Sequence, residues 1–299
     1  MLLVLAALAA PGTAAARTRE YWVAAEPARW NVVPNGLDAI HGMRFDRSET
    51  IFPTTTYRRY TRRWRHSLRL RDDARAGAGR IPGPLLRARV GDRLLVHFLN
   101  RDTRTGNAHS MHFHGVEYAP SSDGAFVPGF SGRDGDVPVG GTYTYRLHAG
   151  RDSAGVWPYH DHGPAMAASL AGGMYGALSI LGPRERRPDR EFVVMFAPFG
   201  GFQAIDGRAF VGNTPVFQSR VGDVVQWDVL AIGDEHHTFH VHGHRWRGAD
   251  GVPLDTRTLG PAESFRVRWR EDAPGTWLYH CHVESHMANG MIGLYRVRR

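Results

Sequence analysis

Short runs in which apolar and polar positions alternate recur along most of the chain, as in RLLVHFLN (93–100), TYTYRLH (142–148), VVQWDVL (224–230) and SFRVRW (264–269). A period of two sends successive side chains to opposite faces, so each run reads as a strand with one face in a core. Gly, Pro, Asp and Asn punctuate the runs, and a helical period is hardly visible anywhere. Many short strands separated by turn residues predict an all-β fold of Greek-key sandwiches.

The pattern occurs twice. IPGPLLRARVGDRLLVHFLN (81–100) parallels NTPVFQSRVGDVVQWDVL (213–230), HSMHFHG (109–115) parallels HTFHVHG (237–243), and WPYHDH (157–162) parallels WLYHCH (277–282). VPVGGTYTYRLHAG (137–150) and GGMYGALSIL (172–181) likewise return as LGPAESFRVRW (259–269) and NGMIGLYRVR (289–298). The common order of five blocks is that of a tandem duplication, with loops of unequal length between them. The expected organisation is therefore one sandwich over 17–182, a charged linker carrying two prolines, GPRERRPDR, and a second sandwich over 190–299. Residues 1–16, an apolar run ending in Ala14–Ala16 before Arg17, read as an export signal with an A-x-A-like cleavage site. The expected location is extracellular or in the cell envelope, with no stable membrane span.

Composition adds three constraints. The chain has 299 residues, enough for two domains, with 42% apolar and 22% charged residues. All 37 basic residues are arginine, and the net charge of +8 is spread out except at YRRYTRRWRHSLRLR (57–71). No nucleic-acid-binding motif accompanies that stretch, so it is taken as arginine-rich surface rather than as a nucleic-acid site. Cys281 is the only cysteine, which rules out a disulfide framework.

The chemistry sits in the histidines. His112/His114, His160/His162, His240/His242 and His280/His282 form four H-x-H units, and on a strand each unit presents two imidazoles on one face. Four such units at matching places in a duplicated domain point to bound metal. In HCH (280–282) the thiol faces away from its two flanking histidines. Cys281, His286 and Met291 supply a Cys, a His and a Met, and His237 on another strand offers the second His of a blue-copper ligand set. A structural zinc site would normally use more than one cysteine.

From residue 81 onwards these motifs (HxHG, WxYHxH, HxxHxHGH and YHCHxxxHxxxxM) resemble the copper-binding motifs of multicopper oxidases. The layout, with cysteine only in the second domain, is similar to the two-domain bacterial laccases. That resemblance implies two tandem cupredoxin-like Greek-key β-sandwich domains. It also implies four copper ions: a type 1 copper on His237, Cys281, His286 and Met291, a type 2 copper on His112 and His240, and a type 3 pair. One type 3 copper would take His114, His160 and His282, and the other His162, His242 and His280. The family's reaction is one-electron oxidation of phenols or similar donors at type 1 copper, coupled to four-electron reduction of O2 to water. The small laccases close a homotrimer whose trinuclear clusters lie between subunits. Tyr118 and Asp123 fall where the family has a tyrosine near the cluster and an acidic residue on its water path. Asp123 is equally a turn residue in SSDG, and Asp255 is a further acidic candidate. Glu235 and His236 fall at the donor rim.

Aligning the halves sets His109 opposite His237, Asp161 opposite Cys281 and Met174 opposite Met291, so no type 1 copper is expected in the first domain. Three rivals follow from the same motifs. A ferroxidase or cuprous oxidase would differ only at the donor rim. A copper nitrite reductase carries its type 1 cysteine in the first domain, and a non-enzymatic electron carrier leaves eight histidines unexplained.

Overall fold

The computed structural model describes residues 16–68, 81–248 and 250–299. The expected export signal lies outside the described residues apart from Ala16, as do Arg69, Leu70 and Arg71 of the arginine-rich stretch. Two sandwiches follow one another along the chain. In the first, a sheet ordered Ile51–Tyr60, Thr18–Asn31, Arg93–Asn100, Thr142–His148, Glu117–Tyr118 faces a sheet ordered Leu86–Arg89, Tyr175–Leu181, Gly155–His160, His112–Phe113. In the second, a sheet of Phe202–Ile205, Arg190–Phe199, Val224–Ala231 and Ser264–Arg270 faces one of Val216–Arg220, Ile292–Arg298, Gly275–Cys281, His237–Val241 and Thr256–Leu259.

Alternation does the folding within each sandwich. In Arg93–Asn100 the buried positions are Leu94, Val96, Phe98 and Asn100, and the three apolar ones share a core with Tyr145 and Leu147 of the neighbouring strand and with Phe113 of the facing sheet. Trp227, Phe239, Tyr279 and Tyr295 pack the second core on the same plan. In the first sandwich's arginine-rich stretch, Arg58 pairs with Glu26 (3.1 Å) and Arg59 lies over the Tyr21 ring, so these two arginines cover strand surface.

A third core joins the sandwiches. Val32, Leu85, Val156 and Tyr175 from the first half pack with Val193, Met195, Ala197 and Leu230 from the second. Polar bonds brace this contact: Arg266 Nη1 donates to the Ile180 carbonyl (2.9 Å) and Arg266 Nη2 to Ser179 Oγ (2.7 Å). Arg266 Nε is held in turn by Asp228 (2.7 Å), so its buried charge has a partner.

At the tight turn after Phe202–Ile205, Asp206 (φ 52°) and Gly207 (φ 68°) both adopt left-handed backbone, the requirement of a type I′ turn. Asp206 Oδ1 accepts from the Met195 N–H (2.9 Å), while Oδ2, fully buried, has no partner among the described residues. Burial pushes this carboxyl well above its usual 3.8. The native state therefore keeps a proton that the unfolded chain releases above that pH. Stability from this group is complete below the unfolded value and falls as pH rises towards the raised native one. Asp206→Asn keeps the acceptor and the left-handed conformation, and removes the titration. It is expected to stabilise the fold at pH 7 by about 1.4 kcal/mol per unit of pKa difference, seen as a higher melting temperature, and to gain little at pH 4. Equal gains at both pH values in thermal unfolding would refute this.

Candidate metal centre

Strand register assembles the histidines. In the first sandwich His112 lies opposite His160, and Phe113 opposite Tyr159. In the second, His240 lies opposite His280, and Phe239 opposite Cys281. Each H-x-H unit thus meets a second one on the neighbouring strand. The glycine closing each motif has a steric reason. Gly115 (φ 70°) carries the Trp157 ring where a Cβ would sit, 2.0 Å away, and Gly243 (φ 71°) stands the same way to Trp277 at 2.7 Å. The H-x-H-G and W-x-Y-H-x-H motifs are two sides of one contact.

Hydrogen bonds orient the rings, and they do so identically in both halves. His112 Nδ1 donates to the Asp123 carbonyl and His240 Nδ1 to the Asp255 carbonyl, both at 2.7 Å. His160 Nδ1 donates to the Asp161 carbonyl (3.0 Å) and His280 Nδ1 to the Cys281 carbonyl (2.9 Å). With Nδ1 protonated, each Nε2 keeps a lone pair for a metal. His114 and His160 bring their Nε2 atoms to 3.2 Å, and His242 and His280 bring theirs to 3.1 Å. Burial and neighbouring histidines hold His114, His160 and His280 down to about 4, so they are neutral and ready to ligate near neutral pH.

His112, His114 and His160 form one set of converging ligand atoms, and His240, His242 and His280 another. His162 and His282 flank these sets, with ring centroids 5.4 Å from His112 and His240 respectively. Among the described residues no ring contact joins the two sets within the chain. The rims are open, His282 being exposed and His114 partly so.

The third set is buried in the second sandwich. His237 Nδ1 and His286 Nδ1 are 3.2 Å apart and stand 3.8 and 3.7 Å from Cys281 Sγ. Met291 is fully buried in the same core, its N–H bonded to the His286 carbonyl (2.9 Å) and its carbonyl accepting from the Cys281 N–H (3.1 Å). The Thr238 N–H points at Cys281 Sγ (3.4 Å). Burial raises the Cys281 thiol and lowers His237 to about 4, an environment suited to a soft cation rather than to free charge. A donor set of thiol, imidazole and thioether groups fits copper. Outside the core, His286 Nε2 lies 3.5 Å from Glu235 Oε2, which also accepts from Gln203 Nε2 (2.8 Å).

The equivalent position in the first sandwich is filled by an ion triad. His109 Nδ1 meets Asp161 Oδ2 at 2.8 Å and His109 Nε2 meets Asp102 Oδ2 at 3.0 Å, all three side chains being buried. The two carboxylates raise His109, and that imidazolium in turn helps to keep Asp102 near 2 and Asp161 low. Both ring nitrogens are engaged, so His109 has no lone pair for a metal. Asp161 Oδ1 also accepts from the Ser110 N–H (2.7 Å) and the Gly163 N–H (3.1 Å), clamping the segment between His160 and His162.

Tyr118 is half-buried beside Asp123, and burial with that carboxylate pushes its phenol up to about 12. Asp123 follows the Pro120–Ser122 turn, with Oδ1 3.5 Å from His112 Nδ1. The Asp255 side chain is exposed, and its carbonyl orients His240. Asp102, Gln203 and the buried His244–Glu271 pair (3.0 Å) escape sequence reasoning, since no spacing rule marks them.

Two multicopper oxidase domain models match the chain, one over residues 65–185 and the other over 186–299. Among curated relatives, a probable nitrite reductase–hydroxylamine oxidoreductase fusion protein of Kuenenia stuttgartiensis is 30% identical over 73% of this chain and 27% of its own length. The ferroxidase HEPHL1 of Homo sapiens is 28% identical over 99% of this chain and 30% of its own. The chain therefore spans under a third of these relatives. A solved blue copper oxidase from Nitrosomonas europaea superposes with a TM-score of 0.70 at 22% identity, covering 94% of this chain and 86% of that one. That likeness is one of fold, the cupredoxin-like double sandwich expected from the sequence.

Proposed function

The chain belongs to the multicopper oxidase family, a family of copper-dependent oxidoreductases, and on that premise we propose that it is an oxidase of laccase type. Small phenolic or similar donors would give up one electron at a time beside His286, and O2 would be reduced to water at a trinuclear site. Bound copper supplies the one-electron acceptor at the thiolate set and the multi-electron reduction of O2 at the histidine sets. The observation that carries this reading is the single strand Gly275–Cys281 and its extension, where Cys281 turns into one metal set while His280 and His282 turn towards another.

In this reading His237, Cys281, His286 and Met291 hold a type 1 copper. His112 and His240 hold a type 2 copper, His114, His160 and His282 one type 3 copper, and His162, His242 and His280 the other, four ions in all. Because the two histidine sets make no ring contact within one chain, each cluster would join the first sandwich of one subunit to the second sandwich of its neighbour, closing a homotrimer. Asp123, between Tyr118 and His112, would hand protons to the cluster, with Tyr118 protonated beside it. Asp255 serves through its carbonyl and offers an exposed second carboxylate. Function outside the cytoplasm, with residues 1–16 as an export signal, belongs to the same reading.

A second reading is favoured by Glu235: a carboxylate 3.5 Å from the outer nitrogen of His286 suits a cationic donor such as Fe(II) or Cu(I). A nitrite reductase reading is disfavoured because Asp161 occupies the first domain's cysteine position. The test is oxygen uptake by copper-loaded protein with a phenol, Fe(II) or Cu(I), in wild type and Glu235→Gln. Phenol turnover that survives the substitution is the expected result. A loss of about tenfold or more in Fe(II) turnover alone, the scale of losing a metal-ordering contact, would establish the metal-ion reading. Uptake with none of the donors would overturn both.

A further inference from the structure

Residues 123–131 run along the rim of the first sandwich's histidine set. The Asp123 carbonyl accepts from His112 Nδ1, and the Phe126 N–H donates to the His162 carbonyl (2.9 Å). Beyond Phe126 the chain leaves the sandwich and places Val127 and Phe130 in solvent, 48% and 89% exposed. A single exposed apolar residue needs no explanation. This one, however, sits on a braced projection. The Phe130 and Ser131 N–H groups both donate to the Val127 carbonyl (3.0 Å), and Ser131 Oγ donates to the Ala125 carbonyl (2.7 Å) while accepting from the Val127 N–H. At its base Asp134 accepts from the Gly124 N–H (2.9 Å), and the Asp134 carbonyl accepts from the Tyr145 hydroxyl (2.6 Å). The backbone that carries the aromatic tip is thus braced before any partner arrives, which lowers the entropy cost of docking.

The other histidine set has a similar rim. The segment ending at Asp255, whose carbonyl orients His240, carries Val252 at 50% exposure. We propose that the Val127–Phe130 turn is a docking element for a second copy of this chain, its ring packing against that copy's second sandwich beside the face bearing the other histidine set. The proposal rests on the interchain cluster above. A second copy is the occupant because the projection is continuous with a ligand set whose complement exists on every other copy, and a closed ring offers one face of each kind per subunit. A buried aromatic anchor at that rim also excludes water from the cluster edge.

The test uses the full chain, copper-loaded, with light scattering for mass and absorption spectroscopy for the thiolate band and the type 3 shoulder. Phe130→Glu is expected to fall to single-chain mass where wild type is assembled, to keep its blue band, and to lose the shoulder. Ile40→Glu, at a residue 48% exposed between strands Leu37–Asp38 and Met43–Arg44, is expected to assemble as wild type does. If Phe130→Glu gives no blue band and so has not folded, Phe130→Ala decides: its assembly midpoint should rise about tenfold, the effect of an anchor worth one decade of affinity. Assembly and shoulder unchanged in the folded variant would overturn the proposal. A wild type that is monomeric with its shoulder intact would instead overturn the interchain cluster.

Discussion

Cys281→Ser is expected to abolish the blue absorption and to lower oxygen-coupled donor oxidation by far more than the roughly 10–100-fold that outer-shell substitutions cost. The reason lies in donor chemistry. The His237, His286 and Cys281 atoms converge within 4.8 Å of one another, and the thiol is the only soft anionic donor among them. A serine hydroxyl in the same place stays protonated and binds copper weakly. Folding should survive, since Cys281 is held by backbone bonds to Met291 and by its pairing with Phe239, which a serine retains. The histidine sets should still load, because His240 and His280 are oriented through carbonyls and not through the thiol. Nothing in the first sandwich can replace the lost centre: Asp161 stands at the cysteine position, with His109 locked between it and Asp102. Copper counts, an absorption spectrum and turnover with a phenol check the outcome. Turnover at the wild-type rate would sink the route through Cys281.

Much of this architecture was legible in the residues. The duplication follows from five blocks repeated in one order, the shared face of each H-x-H unit and the opposite facing of Cys281 and His280 follow from a period of two, and the structure reproduces that facing through the pairing of His240 with His280. What could not be read are contacts made by chain segments that carry no common pattern. Asp102 joins His109 only because the turn after Arg93–Asn100 folds back on it. Glu235, just before strand His237–Val241, reaches His286 on the short helix Glu284–Ala288, and Gln203 holds it from a third element. The core between the sandwiches was equally hidden. Phe192–Phe199 is buried nearly throughout, so its strand has no alternation to betray which face meets the other domain. The helices Arg47–Thr50, Met166–Ala171 and Glu284–Ala288 are too short for a helical period to register.

If each trinuclear site is shared between chains, two inactive variants should restore one another. His112→Ala/His114→Ala removes two ligands of the first sandwich's set, and His240→Ala/His242→Ala removes two of the second's. Each variant alone is expected to lack the type 3 shoulder and oxygen uptake while keeping a full blue band, since His237, Cys281, His286 and Met291 are untouched in both. In a mixed ring, a complete cluster forms wherever an intact first sandwich from one variant meets an intact second sandwich from the other. Random assembly of equal amounts pairs them that way at about one interface in four, because each interface joins two unlike faces drawn independently. Electron entry is preserved at those interfaces, because the intact second sandwich brings its own Cys281 between His280 and His282. Co-expressed chains should therefore recover about a quarter of wild-type oxygen uptake, whereas the same variants purified separately and mixed without exchange should recover none. Clusters confined to single chains would give no recovery under either regime, since every chain in the mixture carries a broken set.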